Sequence, residues 1–311
     1  MILVVGLSPA WQRTLTFETL VPGKVNRAVH VSETASGKGV NVARVASILG
    51  AKVKLLTVVG GVRGRLLVAA LRRQGLPLNA VAVEGETRIC QTLLGDGPTT
   101  ELVEESAAVR PNEAREILRV FTAEVRQADL IVLTGTVPKG CGDDFYARLV
   151  ASARRLGVPA LVDAQKEQLI SALKRRPFLV KINCDELAAA MRMNCSRRTG
   201  VSRALQKLLK NGPHHAVITD GAKSVYVSEK PGGVVTVLTP PRVKAKNPIG
   251  SGDAMMAGIA VGLWRGESMT KAIRLGIACG AANAMTAEPG FVRLADVQRL
   301  CSTHHTRTPI V

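Results

Sequence analysis

The segment Asn247-Pro248-Ile249-Gly250-Ser251-Gly252-Asp253 runs straight into the small, apolar stretch Ala254-Met255-Met256-Ala257-Gly258-Ile259-Ala260. Pro248 and the glycines break regular structure, and the apolar stretch after them is strongly helical. The spacing predicts a helix N-terminus whose backbone N–H groups, from Gly250 to Asp253, point outward without intrahelical partners. Such a turn is an anion site, suited to the charge that develops on a transferring phosphoryl group. A carboxylate at Asp253 in the same turn can accept a proton from an attacking hydroxyl. A plain helix-capping Asp would explain the acid but not the Gly-x-Gly before it.

Other glycine motifs fail their chemical tests. Gly37-Lys38 is followed by Gly39 rather than Ser or Thr, and Ser32 stands at the first glycine position of a P-loop. A dinucleotide fingerprint is equally poor. Gly37-x-Gly39 is followed by Val42, and Gly250-x-Gly252 by Met255, where close helix–strand packing needs a small residue.

The elements that must carry these residues alternate. Leu130–Leu133, Ala160–Val162, Phe178–Val180 and Ala216–Ile218 are short apolar runs that predict buried strands. Between them lie helical patterns. Ala114, Ile117, Leu118, Phe121 and Val125 recur at three and four within 112–126, with Pro111 before them and Asn112 placed to cap. Asp143-Asp144 precede Phe145, Leu149 and Leu156 on a second such face. The alternation predicts an α/β fold: a doubly wound, mostly parallel sheet flanked by helices. The four runs end near Thr134, Asp163, Asn183 and Thr219, along the sheet edge where open α/β folds bind ligands. Two stretches, Leu15–Ser32 and Val81–Val103, instead show short alternating strands with Gly and Pro, which predicts a small antiparallel sheet set apart from the main one, as a lid, a dimer interface or both. Ser302–Val311 reads as a loose tail.

The 311 residues are 46% hydrophobic, enough for a sizeable core, which excludes a disordered chain. Lys+Arg 42 against Asp+Glu 24 gives +18 and favours anionic partners. The basic residues are dispersed, the densest cluster being Lys174-Arg175-Arg176, and aromatics make up only 3%, too few to stack on bases. No specific nucleic-acid partner is expected. No apolar stretch is long enough to span a bilayer, no basic region precedes Ile2-Leu3-Val4-Val5, and six scattered cysteines form no C-x-x-C. A cytoplasmic protein without a membrane partner is the expectation. His214-His215 and His304-His305 lack a third metal ligand and read as surface histidines.

Several segments in order resemble the ribokinase/PfkB superfamily of carbohydrate kinases, and within it the branch of 1-phosphofructokinase and tagatose-6-phosphate kinase. They are Ala35-Ser36-Gly37-Lys38-Gly39-Val40-Asn41, Gly85-Glu86-Thr87-Arg88, Thr134-Gly135-Thr136-Val137-Pro138-Lys139-Gly140, Lys181-Ile182-Asn183-Cys184-Asp185-Glu186-Leu187 and Asn247–Asp253. The resemblance covers essentially the whole chain. It implies one ribokinase-like domain over 1–311, with lid segments at about 11–33 and 81–104, and a homodimer closing through the lid.

The resemblance further implies ATP- and Mg²⁺-dependent phosphoryl transfer to a hydroxyl of a phosphosugar. Asp253 would be the general base, and the amides of Gly250, Ser251 and Gly252 would hold the transferring group. Asn183 and Glu186 would organise Mg²⁺ through water. Thr219, Gly221, Ala222 and Asn283 would line the nucleotide site. Gly37 and Asn41 would meet sugar hydroxyls beside Thr136, with Lys24, Lys38 and Arg88 as candidate cations for the substrate's phosphate.

The departures sit mostly on the sugar side. Where the family reads N-P-[AS]-x-D, this chain has Ser8-Pro9-Ala10-Trp11-Gln12, so a neutral amide replaces a carboxylate that grips two hydroxyls. Ile182 replaces a proline, and Asp220 sets a carboxylate beside the nucleotide loop. A kinase of a different sugar and a non-catalytic sugar-phosphate sensor are therefore the alternatives; nucleic-acid binding driven by the +18 charge is a third class, disfavoured by the dispersed charge and scarce aromatics.

Overall fold

Alternation of buried apolar runs with amphipathic segments produces two sheets in the computed structural model, which describes residues 1–302 and 307–310. The first third of the chain holds β1 (Ile2–Val5), β2 (Ala10–Thr16), β3 (His30–Ser36), α1 (Lys38–Ile48), β4 (Val53–Val59), α2 (Gly61–Arg73) and β5 (Leu78–Ala82). Then come β6 (Arg88–Leu94), β7 (Thr100–Val103), α3 (Pro111–Glu124), β8 (Leu130–Thr134), α4 (Phe145–Arg155), β9 (Ala160–Asp163), α5 (Lys166–Leu173) and β10 (Leu179–Asn183). The remainder forms α6 (Cys184–Met191), α7 (Arg198–Lys210), β11 (His215–Asp220), β12 (Ser224–Ser228), β13 (Val235–Leu238), α8 (Ser251–Trp264), α9 (Met269–Ala284), α10 (Leu294–Cys301) and β14 (Arg307–Ile310).

The main sheet has the order β14-β13-β12-β11-β10-β9-β8-β1-β4-β5. From β5 to β11 every pairing is parallel; β12, β13 and β14 extend it antiparallel. Alternate residues of each strand feed opposite cores. Ile2 and Val4 pack with α1, α2, α8, α9 and α10, while Leu3 and Val5 pack with α3 to α7. The order in which successive strands are added reverses at β1, which lies between β4 and β8, and such a switch point opens a crevice at the strands' C-terminal ends. Helix α8 is apolar all round because α9 and the sheet enclose it.

Local readings needed correction in four places. Arg110, not Asn112, caps α3; Pro111 takes the first helical position, where its missing N–H costs nothing, and Glu113 accepts the Arg110 amide at 2.6 Å. The small sheet, β3-β2-β6-β7, is mixed rather than antiparallel, because β2 and β6 from two hairpins pair in parallel. Val81 and Ala82, read as lid, belong to β5 of the main sheet. Within the stretch read as a loose tail, 307–310 pairs with Val235–Leu238 as an edge strand. His304 and His305 lie outside the described residues; His215 is half-buried, its ring edge-on to Phe178.

Candidate active site

Thr134, Asp163, Asn183 and Thr219, each at or next to a parallel strand's end, line one cleft of about 1090 Å³ between the main sheet and the small one. Helix α8 begins at its floor. Gly250 precedes it with φ +80°, and a Cβ there would stand 2.8 Å from the Gly290 nitrogen, so only glycine fits this turn. The Ser251 amide bonds the Pro248 carbonyl at 3.2 Å, and is thus spent within the turn rather than free as the spacing predicts. The amides of Gly250, Gly252 and Asp253 find no backbone acceptor among the described residues. Three outward donors at a helix N-terminus make an anion cradle.

Two asparagines brace this cradle. Asn247 accepts the Ile249 amide at 3.0 Å and donates to the Ala287 carbonyl at 2.8 Å. Asn283 is fully buried, donates to Ile249 O and Ser251 Oγ, and accepts the Gly290 amide at 2.8 Å. It does not line the cleft as the resemblance implies; all its polar capacity goes into fixing the loop. Arg44, stacked 4.3 Å from the Phe291 ring and donating to Gln74 and Ala35, ties the connection between α9 and α10, which Asn283 also holds through Gly290, to α1.

Asp253 projects from the first turn of α8 and accepts a 2.8 Å bond from Asn41 Nδ2, whose Oδ1 is held by Ser36 Oγ. Burial pushes its carboxyl up to about 6, against the pull of Lys38 and the Asn41 bond, with nearby Asp163 pushing the same way as burial. A carboxyl titrating there is a proton acceptor at neutral pH.

The charged groups around Asp253 were only partly legible in the sequence. Asp163, 1% exposed, binds Lys38 at 3.1 Å through one oxygen and Lys181 at 2.8 Å through the other. Burial alone would raise its carboxyl, but the two ammonium groups hold it down at about 2. Lys38 is pushed above its ordinary value because Asp163, Asp253 and Glu186 together outweigh its desolvation. Two lysines sharing one aspartate leave a net positive charge beside the cradle: Lys181 Nζ lies 3.2 Å from where a Gly252 Cβ would be. Lys38 thus lines the cleft while sharing Asp163 with Lys181. Asp163 and Lys181 carried a signal, since charged residues in otherwise apolar buried strands demand partners.

Asn183 and Glu186 cap α6 reciprocally, Oδ1 accepting the Glu186 amide at 2.8 Å and Oε2 the Asn183 amide at 2.9 Å. Gln165 Nε2 holds the other Glu186 oxygen at 2.6 Å. Their remaining lone pairs face the cleft, and no cluster of three His, Cys, Asp or Glu among the described residues could wrap an ion directly. The donor set fits a hydrated Mg²⁺ met through water.

Thr219, Gly221 and Ala222 line one end of the cleft with Asp220, whose carboxylate is 3.7 Å from Lys223 Nζ, and with apolar Val225, Val243, Ile277 and Ala281. Gln12, Gly37, Thr136 and Arg88 line the other. Gln12 is 3% exposed, and its Nε2 donates to Thr92 Oγ1 at 2.9 Å and the Arg13 carbonyl at 3.2 Å. Arg88 spends two guanidinium nitrogens on the Glu104 and Ser8 carbonyls. Lys24 sits on an exposed turn outside the cleft, because the 17–29 connection lies beyond the sheet.

Residues 1–291 match the model of the pfkB family of carbohydrate kinases. Among solved structures, phosphofructokinase-2 of Escherichia coli, in complex with substrates and products, is 24% identical with a TM-score of 0.88, over 97% of this chain and 98% of that one. A Thermotoga maritima protein described as a "possible 1-phosphofructokinase" is 23% identical, TM-score 0.90, with both chains fully covered. Arabidopsis thaliana ribokinase, complexed with ribose and ATP, is 19% identical, TM-score 0.75, over 97% and 99% of the two chains. These likenesses establish the ribokinase-like fold, while the family match spans nearly the whole sequence; the chain belongs to the pfkB family of carbohydrate kinases.

Proposed function

We propose that the protein transfers the γ-phosphoryl group of ATP to a hydroxyl of a phosphosugar, in the manner of 1-phosphofructokinase or tagatose-6-phosphate kinase. One observation carries the reading: Asp253, raised by burial to about 6, shares the first turn of α8 with the free amides of Gly250, Gly252 and Asp253. Base and anion cradle thus stand within one helical turn. That is the arrangement an in-line transfer needs, with positioning and electrostatics supplying most of the rate.

Asp253 takes the proton as the sugar oxygen attacks, and Asn41 aims its carboxylate. Lys38 and Lys181 offset charge on the phosphoryl oxygens, while Asp163 fixes both lysines. Asn183 and Glu186 would hold Mg²⁺ through water, and the ion would supply charge neutralisation at the nucleotide's phosphates. Thr219, Gly221 and Ala222 receive the nucleotide, against apolar walls that suit a purine face. At the other end Arg88, with Thr136 and the Gly37 backbone, meets the phosphosugar, its Nε buried and without a partner among the described residues.

Gln12 supports a sugar preference of its own. Its amide nitrogen is committed to Thr92 and Arg13, which leaves one neutral oxygen as the acceptor toward the cleft. The small sheet acts as the lid over this end and as a dimer face. By register Leu15, Val31, Ile89, Leu93 and Leu102 share its outer side, with Val31 and Leu102 exposed.

Mg-ATP with fructose 1-phosphate, fructose 6-phosphate, tagatose 6-phosphate and the free sugars tests the reading. Phosphorus NMR should show a bisphosphate from one phosphosugar and no product from free sugars. Phosphorylation of a free sugar alone would overturn it.

A further inference from the structure

Seven of the 42 lysines and arginines, dispersed along the sequence, come together at the sheet edge opposite the cleft. Helices following parallel strands return to the edge where strands begin. There the chain just before four adjacent strands is basic. Arg126, in the 3-10 turn Val125–Gln127, precedes β8; Arg154 and Arg155 precede β9; Lys174-Arg175-Arg176 precede β10; Lys210 precedes β11. All are exposed, and none pairs with a carboxylate among the described residues.

Basic residues near helix C-termini compensate the dipole, and on the other layer α2 and α10 carry Arg72-Arg73 and Arg299 there while α1, α8 and α9 carry none. What sets this row apart is that its seven cations stand at four neighbouring strand starts. Among the acids near the row, Asp129 is held by the N-terminal ammonium group and by Trp264 at 3.1 Å, Glu124, two residues before Arg126, is held by Lys54 and Asn79, and Glu229 acts on His215 beyond the far end.

We propose that this edge docks a linear phosphodiester polyanion, a nucleic-acid backbone bound without sequence preference. Strand starts about 5 Å apart spread the row over roughly 15 Å before side-chain reach, and a duplex offers one charge per about 1.7 Å of its axis. Five of the seven cations are arginines, whose planar forks suit phosphate oxygens. Leu156 is the exposed large apolar side chain beside the row, which lacks the apolar anchors of a lipid-surface site. Occupancy leaves the cleft on the opposite edge open.

The test is fluorescence anisotropy with a labelled 30-base-pair mixed-sequence duplex, titrated with salt. An edge variant carries Arg154→Glu, Arg155→Glu, Arg175→Glu and Arg176→Glu. A control variant carries Arg65→Glu, Arg203→Glu, Lys271→Glu and Arg293→Glu, exposed cations elsewhere, and so loses the same charge. Circular dichroism and an unchanged unfolding midpoint verify both folds. At about 100 mM salt the edge variant should bind at least tenfold more weakly, with a shallower salt slope, and the control within about threefold of wild type. Equal losses in both variants would overturn the proposal, as would no duplex binding by wild type at about 50 mM salt. Binding to phosphatidylserine vesicles without binding to the duplex would overturn it in favour of a membrane surface.

Discussion

Asn41 Nδ2 lies 2.8 Å from Asp253 Oδ2, a bond that joins the first turns of α1 and α8 across 212 residues of sequence. Helix α1 starts where β3 of the small sheet ends, and α8 starts at the anion cradle. One hydrogen bond therefore sets the base against both the sugar end and the phosphoryl end of the cleft.

Asn41→Leu should raise the Asp253 pKa, since the lost bond favours the ionised carboxylate. The activity of a base disappears as pH falls through its pKa. In wild type the acid limb of kcat/KM should lie near pH 6, and the variant's limb should move upward by about half a unit to one unit. A pH–rate profile checks this; a limb that stays in place would show that the bond does not govern Asp253.

Asp163→Asn leaves two lysines facing an uncharged amide. Breaking a buried ion pair costs about 3–5 kcal/mol, and the exposure of Lys38 moves the expectation to the low end. Because the folded-state carboxyl is depressed from 3.8 to about 2, its contribution is present above about pH 4 and fades as pH falls toward 2. Urea unfolding at pH 7 and pH 3 should show the variant's deficit shrinking at the lower pH.

The parallel sheet and the Gly250–Asp253 turn were readable because both rest on local rules: apolar runs at strand length, and glycines before a helical run. Register across the small sheet was not, since the parallel pairing of β2 with β6 joins residues about 80 apart and leaves no local mark. Asp253, Asn41, Asn183 and Glu186, all named from motifs, line one cleft. Asn283 shows the limit of motif transfer: its place on α9 was legible, its two bonds to the cradle and one to Gly290 were not. Lys38 and Lys24 look alike in sequence, and only the fold separates a lysine bound to Asp163 from one on an exposed turn.

Gly250→Ala should impair the cradle directly. The residue's φ of +80° and the crowding by Gly290 and Pro289 leave no room for a methyl group. About 1–3 kcal/mol of strain is expected, together with a kcat loss of at least tenfold while phosphosugar affinity is retained. Calorimetric binding beside steady-state kinetics separates the two effects.

Gln12→Leu should alter the choice between sugars more than the turnover of any one of them. Removing one neutral acceptor costs about 1 kcal/mol for whichever hydroxyl it meets, or roughly fivefold in kcat/KM. Across fructose, tagatose, allulose and sorbose phosphates, which vary C3 and C4, discrimination should flatten at one carbon. Thr92→Val should flatten it at the same carbon, because Thr92 fixes the amide's direction. Unchanged epimer ratios in both variants would remove Gln12 from sugar recognition.

The most direct measurement is ADP release from Mg-ATP with the best phosphosugar of the panel, wild type beside Asp253→Asn. The account predicts phosphosugar-dependent turnover that falls by about two to four orders of magnitude in the variant, with ATP and phosphosugar still bound. A variant that turns over like wild type, or a wild type that binds both ligands and releases no ADP, would contradict it.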